Sequence, residues 1–152
     1  LLSTLDFQEG ESVLDVGCGY GPIGLSLAKA QGVAVTMVDV NERALELAKK
    51  NAARNQVEAQ IFSSDVNEVV DGVFDHVISN PPIRAGKKVV HQVITGSFDH
   101  LKTGGDLTIV IQKKQGAPSA KAKMEETFGN CETVKKDKGY YILRSEKVSW
   151  EQ

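Results

Sequence analysis

Phe74-Asp75-His76-Val77-Ile78-Ser79 runs directly into Asn80-Pro81-Pro82-Ile83. The first six residues read as a strand, and the two prolines stop it. Each proline removes a backbone donor and fixes a φ angle, so the chain leaves the sheet and stiffens just beyond the strand's carboxyl end. An open α/β sheet binds its ligands at that end. Asn before proline is also common in plain turns, and a rigid strand-to-loop stop is the simpler reading of the motif. Its place after a glycine-rich segment, Asp15-Val16-Gly17-Cys18-Gly19-Tyr20-Gly21, favours a functional one.

On either side of this stretch, strand and helix patterns alternate, as in a parallel sheet flanked by helices. Val13 to Val16 reads as a first buried strand and Pro22 to Gln31 as a helix, with Pro22 tolerated in its first turn. Ala34 to Val38 reads as a second strand. Asn41 is placed to cap a helix running to Arg54, in which Leu45, Ala48 and Ala52 recur at helical spacing. Ala59 to Phe62 and Phe74 to Ser79 follow as strands, then a helix over Lys88 to Leu101, a turn at Gly104-Gly105 and a fifth strand over Asp106 to Gln112. Pro118 to Phe128 reads as a helix. Glu132 to Lys136 and Tyr140 to Ser145 pair as a hairpin around Asp137-Lys138-Gly139. The expectation is a doubly wound, mostly parallel α/β sheet with an antiparallel C-terminal hairpin.

With 152 residues and 41% hydrophobic content, the chain is sized for one core, and residues 1–152 read as a single domain. Cys18 and Cys131 lie far apart, which is not the pattern of a disulfide framework and fits a reduced, cytoplasmic protein. No apolar run approaches the ~20 residues of a membrane span, and Leu1-Leu2-Ser3-Thr4-Leu5 lacks the form of a signal peptide. A start at Leu1 implies that upstream residues are missing. The net charge of -2 argues against a protein that grips nucleic acid over its whole surface. Positive charge is nonetheless clustered: Arg84, Lys87, Lys88 and His91 follow the proline motif, Lys113 and Lys114 follow the fifth strand, and Lys135, Lys136 and Lys138 lie near the end. A solvated face explains each cluster singly. The first two gain weight from their position beside the proline motif.

Gly19-Tyr20-Gly21-Pro22-Ile23-Gly24 formally matches the dinucleotide pattern G-x-G-x-x-G, which alone is weak. Glycines here let the backbone turn tightly and approach a ligand, with helix amides pointing at it. Asp15 favours a cofactor without phosphate, because a carboxylate at the strand end repels a diphosphate but suits an ammonium group; capping of the loop amides is its alternative role. Asp39, followed by Val40, ends the second strand where a carboxylate accepts from ribose hydroxyls, a position that suits either kind of cofactor; capping the next helix is its alternative role, although Asn41 already fills that need. Asp65 and the backbone N–H of Val66 are placed to meet an adenine ring, although an isolated Asp is more often a turn former. No metal-ligating cluster is read.

Asp15-x-Gly17-x-Gly19-x-Gly21, Asp39 and Asn80-Pro81-Pro82 together resemble class I S-adenosylmethionine-dependent methyltransferases, specifically the branch that methylates exocyclic amino groups. More narrowly, Asn80 to Lys88 and Gln112 to Ser119 are similar to the small-domain family related to bacterial small-subunit ribosomal RNA guanine-N2 methyltransferases. The resemblance covers almost the whole chain. Family members usually carry additional N-terminal sequence before the glycine loop, and here that part is largely absent. The resemblance implies S-adenosyl-L-methionine as cofactor, held by Asp15, Gly17, Cys18, Gly19, Tyr20, Gly21, Asp39, Val40, Asp65, Val66 and Asn80.

The chemistry gives the motif its logic. An exocyclic amine is a poor nucleophile because its lone pair is delocalised into the ring. The Asn80 side-chain oxygen and the Pro81 carbonyl are placed to accept from that amine, and Pro82 and Ile83 complete the catalytic motif. These acceptors stabilise the positive charge that grows on nitrogen in the transition state. Orientation alone is worth ~7 to 11 kcal/mol, so no strong general base is required. His76 and His91 read as structural. Ile83 departs from the aromatic residue that many relatives use to stack on a flipped base. Arg84, Lys87, Lys88, Lys113 and Lys114 are the candidate substrate-binding residues, contacting RNA phosphates. The expected activity is methylation of guanine N2 in small-subunit ribosomal RNA. An amino-methyltransferase acting on protein glutamine or a small molecule is the alternative, and a nonenzymatic Rossmann-like RNA-binding module is a third reading.

Overall fold

The computed structural model describes residues 10–16, 34–39, 42–54, 59–63, 73–81 and 86–148; at positions 34, 35, 37–39, 42, 44, 45, 48, 51, 54 and 59–63 it describes the backbone alone. Within these residues the chain forms β1 (Ser12–Val16), β2 (Ala34–Asp39), α1 (Glu42–Arg54), β3 (Ala59–Ser63), β4 (Phe74–Ser79), α2 (Lys87–Asp99), β5 (Leu101–Gln112), a 3₁₀ turn (Lys113–Gln115), α3 (Ala117–Phe128), β6 (Glu132–Asp137) and β7 (Tyr140–Glu146). The predicted helix over Pro22 to Gln31 lies outside the described residues.

The seven strands make one sheet in the order β3-β2-β1-β4-β5-β7-β6. Pairing is parallel from β3 to β5, and β7 pairs antiparallel with both β5 and β6. The sequence therefore reads correctly as a doubly wound sheet closed by an antiparallel hairpin. Lys138 and Gly139 make the hairpin turn with φ 51° and 83°. Positive φ at both central positions is the mark of the turn whose twist matches paired strands.

Register gives the two faces of the parallel strands different characters. Leu14, Val77 and Leu107 stand side by side across β1, β4 and β5, and all are fully buried in one cluster with Val90 and Ile94 of α2 and Met124 and Phe128 of α3. An edge-to-face contact between Phe98 and Phe128, with ring centroids 5.1 Å apart, ties the two helices together. The neighbouring row holds Val13, His76 and Asp106. Here burial falls on polar groups. His76 Nδ1 lies 2.7 Å from Asp106 and its Nε2 lies 3.0 Å from Glu11. Asp106 in turn accepts from Arg144 Nε at 2.9 Å and is 2.8 Å from Nη2.

The structure corrects the junction of α2 and β5. The predicted turn at Gly104-Gly105 is not where the strand begins: α2 ends at Asp99, and β5 starts at Leu101, which pairs with Phe74. Phe74 also donates its N–H to the His100 carbonyl at 2.8 Å. Between that pair and His76↔Asp106 the register shifts, so residues 102–105 face Asp75 alone and bulge. The glycines serve the bulge. Gly104 takes φ +90°, and a Cβ on Gly105 would lie 2.6 Å from the Asp75 carbonyl oxygen and 3.0 Å from that of Lys102.

These two positions make a testable pair. Gly105→Ala is expected to destabilise the fold by about 2 kcal/mol, since backbone rather than a flexible side chain must give way. Gly104→Ala, with open space around the added methyl, should cost about 1 kcal/mol through its backbone angle alone. Urea unfolding of both variants checks the order; a loss at Gly105 no larger than that at Gly104 would show that the backbone yields easily and that close approach does not hold the bulge.

Candidate active site

The order β2-β1-β4 puts the topological switch point between β1 and β4, since the chain moves outward to β2 and β3 and then returns to pair on the other side of β1. A crevice opens at the carboxyl ends of such strands. Val16, the last residue of β1, pairs with Val38 of β2 and Ser79 of β4. Asp39 and Asn80 are thus each the next residue along their strands. The buried Ser79 hydroxyl donates to the Val16 carbonyl at 2.9 Å and pins the two ends together across the switch point.

Asp15 lies one residue inside this edge, in register with Met37 and Ile78, and is only 2% exposed. Asn80 is exposed, while Pro81 is buried. The backbone of Asp39 closes β2 at the same edge. Of the candidate site residues, the structure brings Asp15, Asp39, Asn80 and Pro81 to one end of the sheet. Gly17, Cys18, Gly19, Tyr20, Gly21, Val40, Asp65, Val66, Pro82, Ile83 and Arg84 lie outside the described residues.

The two basic clusters approach the proline motif from different elements. Lys87 and Lys88 occupy the first turn of α2, and Lys113 and Lys114 sit in the 3₁₀ turn after β5; all four are exposed. A cleft of about 110 Å³ lies between the starts of α2 and α3, lined by Lys87, Val90, His91, Gln115, Gly116 and Ser119. His91 Nε2 is 3.1 Å from the Ser119 hydroxyl. Burial, together with the charges of Lys87 and Lys123, lowers the His91 pKa, so it is neutral near pH 7 and adds no positive charge to the cluster in which the sequence places it. Lys135, Lys136 and Lys138 sit apart, on β6 and its turn.

Gln115 lies in the Gln112 to Ser119 segment that the sequence places beside the motif, but the sequence gives it no role of its own. Its side-chain amide donates to the Pro81 carbonyl at 3.0 Å. The spacing Gln112-x-x-Gln115 carried a signal: the two side chains form a reciprocal capping box at the start of the 3₁₀ turn.

The chemistry of the described groups suits a cationic ligand with a planar amine beside it. A buried carboxylate stands at the switch point, and two oxygen acceptors stand just beyond β4. Among the described residues, no group of three or more His, Cys, Asp and Glu is placed to hold a metal ion, and no helix is long and apolar enough to cross a membrane.

Comparison with known proteins gives the same direction. The family model described as methyltransferase small domain matches residues 1–144. The chain is 53% identical over 149 residues to YbxB of Bacillus subtilis (strain 168), covering 93% of this chain and 74% of that protein. It is 37% identical over 152 residues to ribosomal RNA small subunit methyltransferase C of Erwinia tasmaniensis, covering 97% of this chain and 44% of the relative, so it spans less than half of that relative's length. Among solved structures, a T. Thermophilus 16S rRNA N2 methyltransferase in complex with AdoMet and guanosine aligns with a TM-score of 0.82 at 29% identity, over 92% of this chain and 38% of that one. A methyltransferase from Pyrococcus furiosus aligns at 0.85 with 25% identity, over 97% and 80%. The chain belongs to the methyltransferase small domain family.

Proposed function

We propose that the protein transfers a methyl group from S-adenosylmethionine to an exocyclic amino group, with guanine N2 of small-subunit ribosomal RNA as the acceptor. The observation that carries this reading is the position of Asn80 and Pro81 directly beyond β4, across the switch point from the buried Asp15. The cofactor supplies a strongly electrophilic sulfonium methyl. Asp15 would hold its ammonium group, Asp39 its ribose hydroxyls, Asp65 and Val66 its adenine, with residues 17–21 and Val40 shaping the seat around them.

The chain's own contribution is to bind, orient and stabilise. The Asn80 side-chain oxygen and the Pro81 carbonyl accept the two N–H bonds of the target amine and turn its lone pair toward the methyl. The amine nitrogen bonds to the methyl carbon as the S–CH3 electron pair returns to sulfur. The positive charge that develops on nitrogen is held by both acceptors more tightly than in the ground state, and this difference is what accelerates the step. The surplus N–H proton then passes to water, and S-adenosylhomocysteine leaves. Lys87, Lys88, Lys113 and Lys114 offer exposed cations near the motif for RNA phosphates, and Arg84 follows the motif in sequence. The ribosomal acceptor draws its support from the two relatives whose names specify rRNA methylation.

Incubation of the full-length protein with labelled S-adenosylmethionine and either ribosomal RNA or total protein tests the reading. Label is expected in RNA, at guanine N2 by mass spectrometry. Label confined to protein would overturn the choice of acceptor, and failure to bind the cofactor would overturn the enzymatic reading itself.

A further inference from the structure

We propose that Gln115 is a positioning residue for methyl transfer, acting through the Pro81 carbonyl; the inference rests on Asn80 and Pro81 being the acceptor pair. A carbonyl oxygen has two lone pairs. Gln115 Nε2 takes one of them at 3.0 Å, which fixes the peptide plane between Pro81 and Pro82 and leaves the other for the incoming amine. Proline at 82 gives that peptide no N–H of its own. Its orientation must therefore be imposed from elsewhere.

The donor is itself held. Gln115 Oε1 accepts from the Gln112 N–H at 3.4 Å, and the Gln112 side chain accepts from the Gln115 N–H in return. Gln112 Nε2 donates to the Tyr140 hydroxyl at 2.8 Å, and Lys113 N–H donates to the Gly139 carbonyl at 3.0 Å. β5 runs three residues past its last pairing with β4, Ser79↔Ile109, and carries this network out beside the proline motif. The C-terminal hairpin is thus linked through Gln112 and Gln115 to the acceptor carbonyl. A side chain that merely filled the amine's seat in the resting protein would have no need of such anchoring.

Gln115→Ala and the isosteric Gln115→Glu test the proposal in the full-length protein, with labelled S-adenosylmethionine and small-subunit ribosomal RNA from a strain lacking the gene. Gln115→Ala should lower single-turnover kcat by roughly tenfold to a hundredfold, the scale of a small misplacement of reacting groups, with KM for RNA and cofactor Kd within about twofold of wild type. In Gln115→Glu the ionised carboxylate would set a lone pair against the carbonyl, so that variant should be at least as slow at neutral pH. Its deficit relative to wild type should shrink as pH falls toward the carboxyl range, because a protonated carboxyl regains a donor; a purely structural role would not give that profile. Carbonyl-labelled proline reports without any substrate: the chain has four prolines, and the Pro81 signal, identified by its loss in Pro81→Ala, should move upfield in both Gln115 variants. Unchanged kcat and an unmoved signal, with Asn80→Ala inactive, would overturn the role of Gln115 alone. A lowered KM with unchanged kcat would overturn it in favour of a plug in the amine's seat. Normal turnover in Asn80→Ala would bring down the acceptor pair and this inference with it.

Discussion

Asn80→Ala is expected to abolish methyl transfer while leaving the protein folded and cofactor binding largely intact. Asn80 is exposed, so truncation opens no cavity, and a thermal scan should match wild type within a degree or two. On the proposed mechanism, the substitution removes one of the two acceptors that meet the growing charge on the target nitrogen. Loss of one preorganised group of this kind costs about 10²- to 10³-fold in kcat, or ~3 to 4 kcal/mol. The loss should appear in kcat and kcat/KM together, as for an interaction made mainly in the transition state. Calorimetric titration with S-adenosylhomocysteine would check the cofactor side. A normal rate in this variant would overturn the role assigned to Asn80, and a loss confined to cofactor affinity would move Asn80 from the acceptor pair to the cofactor seat.

The sheet was legible in the sequence because its strands are short apolar runs punctuated by turn chemistry that permits few alternatives. Lys138-Gly139 could make only a tight hairpin turn, and Pro81-Pro82 could only end β4. The junction at residues 99–106 was misread for a physical reason. Two consecutive glycines ordinarily mark a turn, and nothing local shows that one of them is needed for close approach to a distant carbonyl upstream, at Asp75, rather than for chain reversal. Tertiary register decided it. The proposed site divides along the same line. Asn80 and Pro81 stand out through local stiffness, whereas the bond from Gln115 to Pro81 forms only because β5 overhangs β4. The polar row of His76, Asp106 and Arg144 was invisible because these residues become neighbours only through the shifted register of β4 with β5 and the antiparallel pairing of β5 with β7.

That row carries the largest stability effect expected of a polar substitution here. Asp106 is 5% exposed and serves two basic groups at once: His76 on β4 and Arg144 on β7, the latter through both Nε and Nη2. Glu11 and Glu132 extend the row at its two ends, at 3.0 Å from His76 and 3.6 Å from Arg144. Asp106→Ala removes the shared acceptor and leaves two donors facing each other, at a cost of about 3 kcal/mol, the low end for breaking a buried pair because Arg144 retains access to solvent. The pH dependence identifies how much of this belongs to His76. Burial alone would lower its pKa, but hydrogen bonds to Asp106 and Glu11, with the charges of both, outweigh burial and raise it above the ordinary histidine value. A raised folded-state pKa means that the stabilisation is complete below about pH 6.5, the unfolded value, and is lost as pH rises through the folded value. Asp75 does not blur the window, since the Ser12 backbone N–H and Lys102 hold its carboxyl below the usual range despite partial burial. Urea unfolding of wild type and Asp106→Ala from about pH 6 to about pH 9 should therefore show a gap that is widest at the acid end and narrows, without closing, as His76 loses its proton and the Arg144 pair remains. A gap independent of pH would assign the effect to Arg144 alone. A gap under about 1 kcal/mol throughout would mean that the row behaves as exposed surface pairs do, and that the shifted register of β4 and β5 is held by its apolar neighbours without help from charge.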